Sequence, residues 1–434
     1  MLVAAVAMAT LLGWAAEDGP AELVARLGSP LFVEREAAAE SLRRLGPLAL
    51  PALRKAQSAR DLEIRLRASQ LRDEIEASTL LKPTMVRLDF HDRPLSEVVE
   101  EIGRRAGVSL VSGDEPLMHR KRQDRPSWPD RRINLEAPDP LPFWEAIDMI
   151  GRAGHVRHNP GAKAWDGTPV SVLHIVDGEP PSSTLYRGPF RVHLVGLHRR
   201  RDLDLGGSPR REPSSQGVLY VDLQAFVEPG RFLDFDGLPR LEATDDRGRP
   251  LPPPPADAEW PRPRAISWNV PGSIGFFQWR LPIGLPDSPA VTKLRRLRGT
   301  LPVIVSATRP DPLVISLDDA PGKSYRHEQT TLRLRIIYDS PKQMQIEVIL
   351  TQDPSPIPNR DHRAQAAPRH RFGFEDRDGH PLSWLPVYEF VGPGKETHIS
   401  MMISAGERPV RFRFHGLVWS STEIPFEFAD VPLP

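Results

Sequence analysis

The chain has 434 residues, which at roughly 100–200 residues per domain predicts about two to four domains. Its 57 basic and 57 acidic residues cancel, so no global field draws in nucleic acid or an acidic substrate. Cysteine is absent, which excludes disulfides, thiolate nucleophiles, zinc–thiolate sites and iron–sulfur clusters.

The first residues, MLVAAVAMATLLGWAA, carry no charge before Glu17 and Asp18. This apolar run is shorter than the ~20 residues of a spanning helix. Gly13, Ala15 and Ala16 suit signal-peptidase cleavage, although no basic residue precedes the run. Residues 1–16 therefore read as a signal peptide, and the protein as exported, periplasmic or associated with the cell envelope.

Residues 17–80 read as helices. Leu31, Ala38, Leu42 and Leu45 share one face of a helical wheel, and so do Ile64, Ala68, Leu71 and Ile75. Pro51 suits the first turn of a helix ending near Ala56, and Asp61 suits the N-cap of the next. The phrases EREAAAESLRRLGPLALPALRKAQ and DLEIRLRASQL resemble HEAT-type helical repeats over about 55 residues. The resemblance implies an interaction or structural role, because such repeats need a neighbour to bury their faces.

Residues 81–180 change character. MVRLDF alternates as a strand. Asp92 and Pro94 open a helix carrying Leu95, Val98, Val99, Ile102 and Ala106 at helical spacing, and Gly107 is placed to end it left-handed. Val108 to Val111 follow as a strand. RINLEA repeats the scheme as a strand. A helix led by Pro140-Leu141 carries Phe143, Ile147 and Ile150 and stops at Gly154. Ser171 to Val176 close the unit. This β-α-β-β-α-β order, with LDFHDRPLSEVV and INLEAPDPLPFWEAIDMI, resembles the short N-terminal domain of secretins and TonB-dependent receptors. The resemblance implies a periplasmic protein-binding module. The Arg- and Pro-rich stretch from Ser112 to Asp130 departs from that pattern, and no series of barrel strands follows it.

From about residue 184 the chain alternates, and prolines interrupt any helical period. An ordered internal repeat runs through it. Leu241 to Leu251 aligns without gaps to Phe372 to Leu382, and Val221 to Pro229 answers Ile346 to Pro354. Phe190 to Leu197 answers Thr331 to Tyr338, with Val192 and Leu194 set against Leu334 and Ile336. Lys293 to Gly299 loosely answers Val410 to Gly416. Two homologous β-sandwich domains are expected, at 184–318 and 325–434. They resemble tandem β-domains of large exported proteins from planctomycete-type bacteria, and no activity comes with that resemblance. Pro250 to Pro255 reads as a polyproline II stretch.

Sites of chemistry are few. Acidic turns at Asp202-Asp204, Asp234-Asp236, Asp245-Asp246 and Asp376-Asp378 could bear on calcium, which wants six to eight oxygen ligands. Arg247 and Arg377 inside two of them favour plain hairpin turns. His155, His158 and His174 are candidates for a metal, but strand alternation would set the first two on opposite faces. His91, His119, His362 and His370 are expected in polar loops. G-x-S-x-G, S-x-x-K, H-E-x-x-H and phosphate-loop motifs do not occur. Paired carboxylates from distant strands remain open. The basic runs at Arg120-Lys121-Arg122, Arg199 to Arg201 and Lys293 to Arg296 lack interleaved aromatics for stacking bases. Among the tryptophans, Trp279 is expected in the core and Trp260 exposed, with Trp268, Trp384 and Trp419 also weighed as a sugar platform.

The expected fold class is multidomain: a short α-helical repeat, an α+β module, then two all-β sandwich domains. The expected function is that of an exported, non-enzymatic scaffold with protein partners in the cell envelope and no cofactor, metal or catalytic residue. The alternatives are a carbohydrate- or polymer-binding β-sandwich protein and, behind it, a hydrolase with a dispersed site.

Overall fold

The structure is a computed structural model that describes residues 19–112, 128–159, 172–200, 217–254, 264–265, 276–285, 291–328, 330–340, 343–351, 371–392, 394, 396–404 and 408–434. Its elements are an N-terminal helical part, a mixed α/β segment and several antiparallel sheets.

The helical part consists of α1 (Pro20–Arg26), α2 (Phe32–Leu45), α3 (Leu50–Ala56) and α4 (Leu62–Leu80). Pro51 lies in the first turn of α3, where its missing N–H costs nothing. The Asp61 carboxylate accepts from the backbone N–H groups of Glu63 and Ile64 at 2.8 and 3.3 Å, and so caps α4. Leu27, Leu42, Leu53, Ala68, Leu71 and Ile75 form the core of this part. Leu31 departs from the expected apolar face: it precedes α2 and is 59 % exposed. No helix among the described residues is long and apolar enough to cross a membrane.

The α/β segment contains β1 (Met85–Val86), β2 (Asp89–Pro94), α5 (Leu95–Ala106), β3 (Ser109–Ser112), β4 (Arg132–Glu136), β5 (Leu141–Pro142), α6 (Phe143–Gly154), β6 (Val156–His158) and β7 (Val172–Asp177). The expected first strand is therefore two short ones, and Leu141 belongs to a strand rather than to the helix it precedes. β2 pairs with β4, β1 with β5, and β3 runs parallel to β7, which also pairs with β6. Gly107 ends α5 at φ 67°, in the left-handed region. His155, not Gly154, takes that conformation after α6.

Two β-regions follow. The first holds β8 (Thr184–Arg187), β9 (Phe190–Arg200), β10 (Gly217–Val227), β11 (Phe232–Phe235), β12 (Arg240–Asp245), β13 (Arg264–Ala265), β14 (Phe276–Leu285) and β15 (Lys293–Thr308). The rest of the chain forms β16 (Leu313–Ser316), β17 (Ser324–His327), β18 (Thr330–Asp339), β19 (Gln343–Thr351), β20 (Phe372–Glu375), β21 (Pro381–Leu382), β22 (Trp384–Val391), β23 (Thr397–Ser404), β24 (Arg411–Phe414) and β25 (Leu417–Pro432). One five-stranded sheet has the order β8-β9-β10-β14-β13, and the other β17-β18-β19-β23-β22. The chain enters the two sheets in the same sequence, which is the structural form of the internal repeat.

A smaller sheet accompanies each: β11-β15-β12, and β16-β24-β20-β21. In the second region Phe372, Phe374, Phe412 and Phe414 of the small sheet share one core with Leu334, Ile346, Val348 and Met401 of the large one. Strand pairing does not follow the 184–318 and 325–434 spans. β16 pairs with β24 of the second region, whereas β25, the last strand of the chain, adds to β15 of the first. Lys293 and Arg296 on β15 bond to Asp430 and Glu427 on β25. β12 pairs with the same stretch of β15, so β25 takes the other edge, the place β16 holds beside β24.

Register corrects two of the expected correspondences. Leu194 lies opposite Leu223, and Leu334 lies opposite Val348. Leu223 and Val348 match in the repeat, so Leu194 answers Leu334, and Val192 answers Leu332. Likewise Ala243 pairs with Leu297, and Phe374 with Phe412, so Leu297 answers Phe412. Each expected alignment slips by two residues, which leaves every side chain on its original face.

The acidic turns recur in matching form. Asp245 N–H donates to the Arg249 carbonyl at 2.9 Å, and Asp376 N–H to the His380 carbonyl at 3.1 Å. The Asp245 carboxylate accepts from the N–H groups of Arg247 and Arg249 at 3.0 and 2.8 Å, and the Asp376 carboxylate from that of His380 at 2.8 Å. Oxygens so engaged are spoken for by the turn. Gly248 and Gly379 sit at φ 79° and 88°, where a side chain is strained. Gly379→Ala is expected to cost about 1–3 kcal/mol, measured by urea denaturation. The melting temperature should not move when EDTA replaces calcium in the buffer; a calcium-dependent rise would contradict this reading of the turns.

Candidate interaction site

Two clusters of polar and aromatic side chains stand out, and both lie on outer faces of the five-stranded sheets. In the first sheet, Phe226 pairs with Arg191, and Gln224 with His193, on the face turned away from Leu223 and Ala225. At this end the α/β segment covers the face. Phe226 belongs to the same apolar cluster as Phe143, Trp144 and Ile147 of α6.

Arg191 sits at the centre of this joint. Its side chain and that of Asp148 are each 2 % exposed, and they bond at 2.8 Å. Its other terminal nitrogen donates to His158 Nδ1 at 2.7 Å, which places the ring proton of His158 on Nε2. The guanidinium lies 3.9 Å from the centre of the Trp144 ring and 4.7 Å from that of Phe226, a desolvated cation–π arrangement. Tyr186 donates its hydroxyl to the second Asp148 oxygen at 2.9 Å. Burial, with Asp148 beside it, pushes the Tyr186 pKa up. Nearby, the buried Glu228 carboxylate accepts from Thr84 N–H at 3.0 Å with both oxygens, and burial pushes its pKa up.

The joint also has a pH response. Burial, then Arg191, pulls the His193 pKa down to about 2. Burial, then Arg191 and His193, holds His158 well below its ordinary value. Both are neutral in the fold, whereas the unfolded chain protonates them below about pH 6.5. The His193 contribution is complete above that pH and falls as the pH drops from about 6.5 toward about 2, by roughly 1.4 kcal/mol per pH unit, and that of His158 falls in the same direction. The melting temperature is expected to fall steeply below about pH 6, and His193→Gln to reduce the slope. An unchanged slope in that variant would count against the assignment.

The second cluster lies on the corresponding outer face of the second sheet, which carries no segment of the α/β kind among the described residues. Asp222 and Glu347 occupy matching positions in the repeat. Both are buried, and both are held by an arginine and a histidine. Asp222 takes two bonds of 2.8 Å from Arg280 and lies 2.9 Å from His198 Nε2. Glu347 accepts from Tyr388 Oη at 3.0 Å and Arg335 at 3.2 Å, and lies 3.2 Å from His398 Nδ1. Across the sheet, Arg335, Glu347, Ser400 and Tyr388 form one row. Arg333, Ile349, His398 and Phe390 form the next. The Phe390 ring stacks on His398 at 4.5 Å and 6°, and the Tyr388 ring lies 5.8 Å from Phe390. Phe390 remains 49 % exposed and Tyr388 39 %.

The residues singled out in the sequence are dispersed. His158 is buried in the joint, while His155 is exposed and bonded to Glu179. His91 is exposed beside Asp89. No three metal-binding side chains converge among the described residues. Trp279 and Trp384 are buried, and Trp419 is exposed. Asp236 is exposed. Asp202, Asp204, Trp260, Trp268, His119, His362, His370 and the run Arg120 to Arg122 lie outside the described residues. Neither Arg191 nor the Tyr388–Phe390 pair was singled out. The signal for the latter was an aromatic at positions i and i+2, either side of Glu389, near the end of a strand.

Comparisons with protein-family models, with curated proteins and with solved structures returned no match.

Proposed function

We propose that this chain is an exported, non-enzymatic scaffold that holds protein partners in the cell envelope. The observation that carries the reading is the joint around Arg191. A cation, two neutral histidines and an aromatic core fix the α/β segment to the first sheet, where a flexible linker would serve a chain of independent modules. In this reading the helical part is a HEAT-like repeat, the α/β segment is related to the secretin and TonB short N-terminal domain, and both offer partner surfaces. The test is a pull-down from the envelope fraction with the full tagged chain. The same protein partners should return in replicate experiments, and a blank result in each would overturn the proposal.

A second reading, binding of a carbohydrate or other polymer, is favoured by one observation: the open Tyr388 and Phe390 rings beside hydrogen-bonding side chains.

A further inference from the structure

The outer face of the second five-stranded sheet combines two features that a sugar requires. It presents ring faces for the apolar C–H side of a pyranose, and it presents planar polar groups held in place before any ligand arrives. The Glu347 carboxylate does the holding. Its three contacts fix Tyr388 and Arg335 in its own row and His398 in the next, while Gln345 Nε2 donates to Ser400 Oγ at 2.9 Å in the adjoining strands. Pre-oriented groups reduce the entropy lost on binding.

We propose that this face is a saccharide-binding subsite, with Phe390 and Tyr388 stacking on successive sugars and with Arg335, His398 and Gln345 meeting their hydroxyls. This deepens the polymer-binding reading and rests on it. The rings come from residues two apart on β22, a strand at the sheet edge, so they lie side by side along a line that an extended β-linked chain could follow. Charge selects a neutral glycan. Arg335 is matched by Glu347, and the exposed Arg333 of the next row is offset by Glu396, which lies 3.6 Å from His398 Nε2. A protein partner fits less well. Protein interfaces are depleted of charge at their centres, and here the centre is the Glu347 row with the aromatic area at its side.

The full chain is titrated by calorimetry with hexaoses of β-1,4-linked glucose and of β-1,4-linked N-acetylglucosamine. At least one should bind. Phe390→Ala and Tyr388→Ala should each weaken it by about tenfold or more, whereas Tyr388→Phe, which keeps the ring, should lose less. Phe32→Ala, an exposed aromatic in the helical part, should bind as the parent does, and melting curves check that each variant is folded. Absence of binding to either hexaose overturns the subsite and the polymer reading together. Binding that survives both alanine changes overturns the subsite alone. Loss of a pulled-down protein in these variants, with hexaose binding intact, would reassign the face to a protein partner and overturn the proposal.

Discussion

Replacing Arg191 by methionine is expected to destabilise the protein by about 3–5 kcal/mol, because it leaves the Asp148 carboxylate buried with no cation. Asp148 would retain the Tyr186 hydroxyl, a neutral donor that offsets only part of the loss. His158 would lose the N–H donor to its Nδ1. The opposing term is large, since Arg191 and Asp148 are both withdrawn from water. Removing both charges should therefore be far less harmful than removing one. The double variant Arg191→Met with Asp148→Leu should recover most of the stability, because well-packed apolar replacements for a buried pair are often neutral or better. Guanidinium denaturation of the parent, both single variants and the double variant completes the cycle. If the double variant loses as much as the two single variants summed, the pair is not coupled and the joint is held by its apolar contacts alone. The Arg191 Nε and Trp144 Nε1 groups have no hydrogen-bond partner among the described residues. Packing around the guanidinium is thus tuned to the ring faces rather than to complete satisfaction of its donors.

Deleting residues 421–434 should have a still larger effect, and on a region distant in sequence. β25 adds to β15 of the first region and buries Ile424, Phe426 and Phe428. Full burial of an apolar side chain of this size contributes about 1.5–3 kcal/mol, so the three together approach the stability of a whole domain, about 5–15 kcal/mol. The contact is close: a Cβ on Gly299 would come within 2.7 Å of the Phe426 ring. Truncation would also leave the 16-residue β15 with an open edge, which invites aggregation. Hydrogen exchange along Lys293 to Gly299 should rise sharply in the truncated chain and fall again when a peptide of residues 421–434 is added, by strand addition. Exchange on β15 that is unaffected by the deletion would refute the role of β25. The second region supplies the contrast, since its small sheet is completed by β16, which precedes it.

Much of the local structure was legible in the sequence. Asp61, Pro51 and Gly107 each act through their own backbone or the next two or three residues, so their roles as cap, first-turn residue and left-handed stop follow from local chemistry. The order of helical part, α/β segment and β-regions follows from hydrophobic period in the same way. The duplicated turns at Asp245 and Asp376 were visible because a hairpin is specified by contiguous residues. Register was not. A strand repeats its face every two residues, so a slip of two in setting Val192 and Leu194 against Leu334 and Ile336 preserves the alternation; only the ladder against Leu223 and Val348 resolves it.

Sequence by itself thus determined the kinds of element, their order, the internal duplication and the absence of thiol chemistry, all of which depend on residue type and short spacing. Tertiary structure decided which strands share a sheet, including the pairing of β25 with β15. It also brought Asp148, His158 and Arg191 into one buried group, and set Tyr388 and Phe390 open beside Glu347. These are contacts between residues tens to more than a hundred positions apart. Their cost is chain closure and desolvation, and their gain appears only when the partner is in place, so no local pattern announces them.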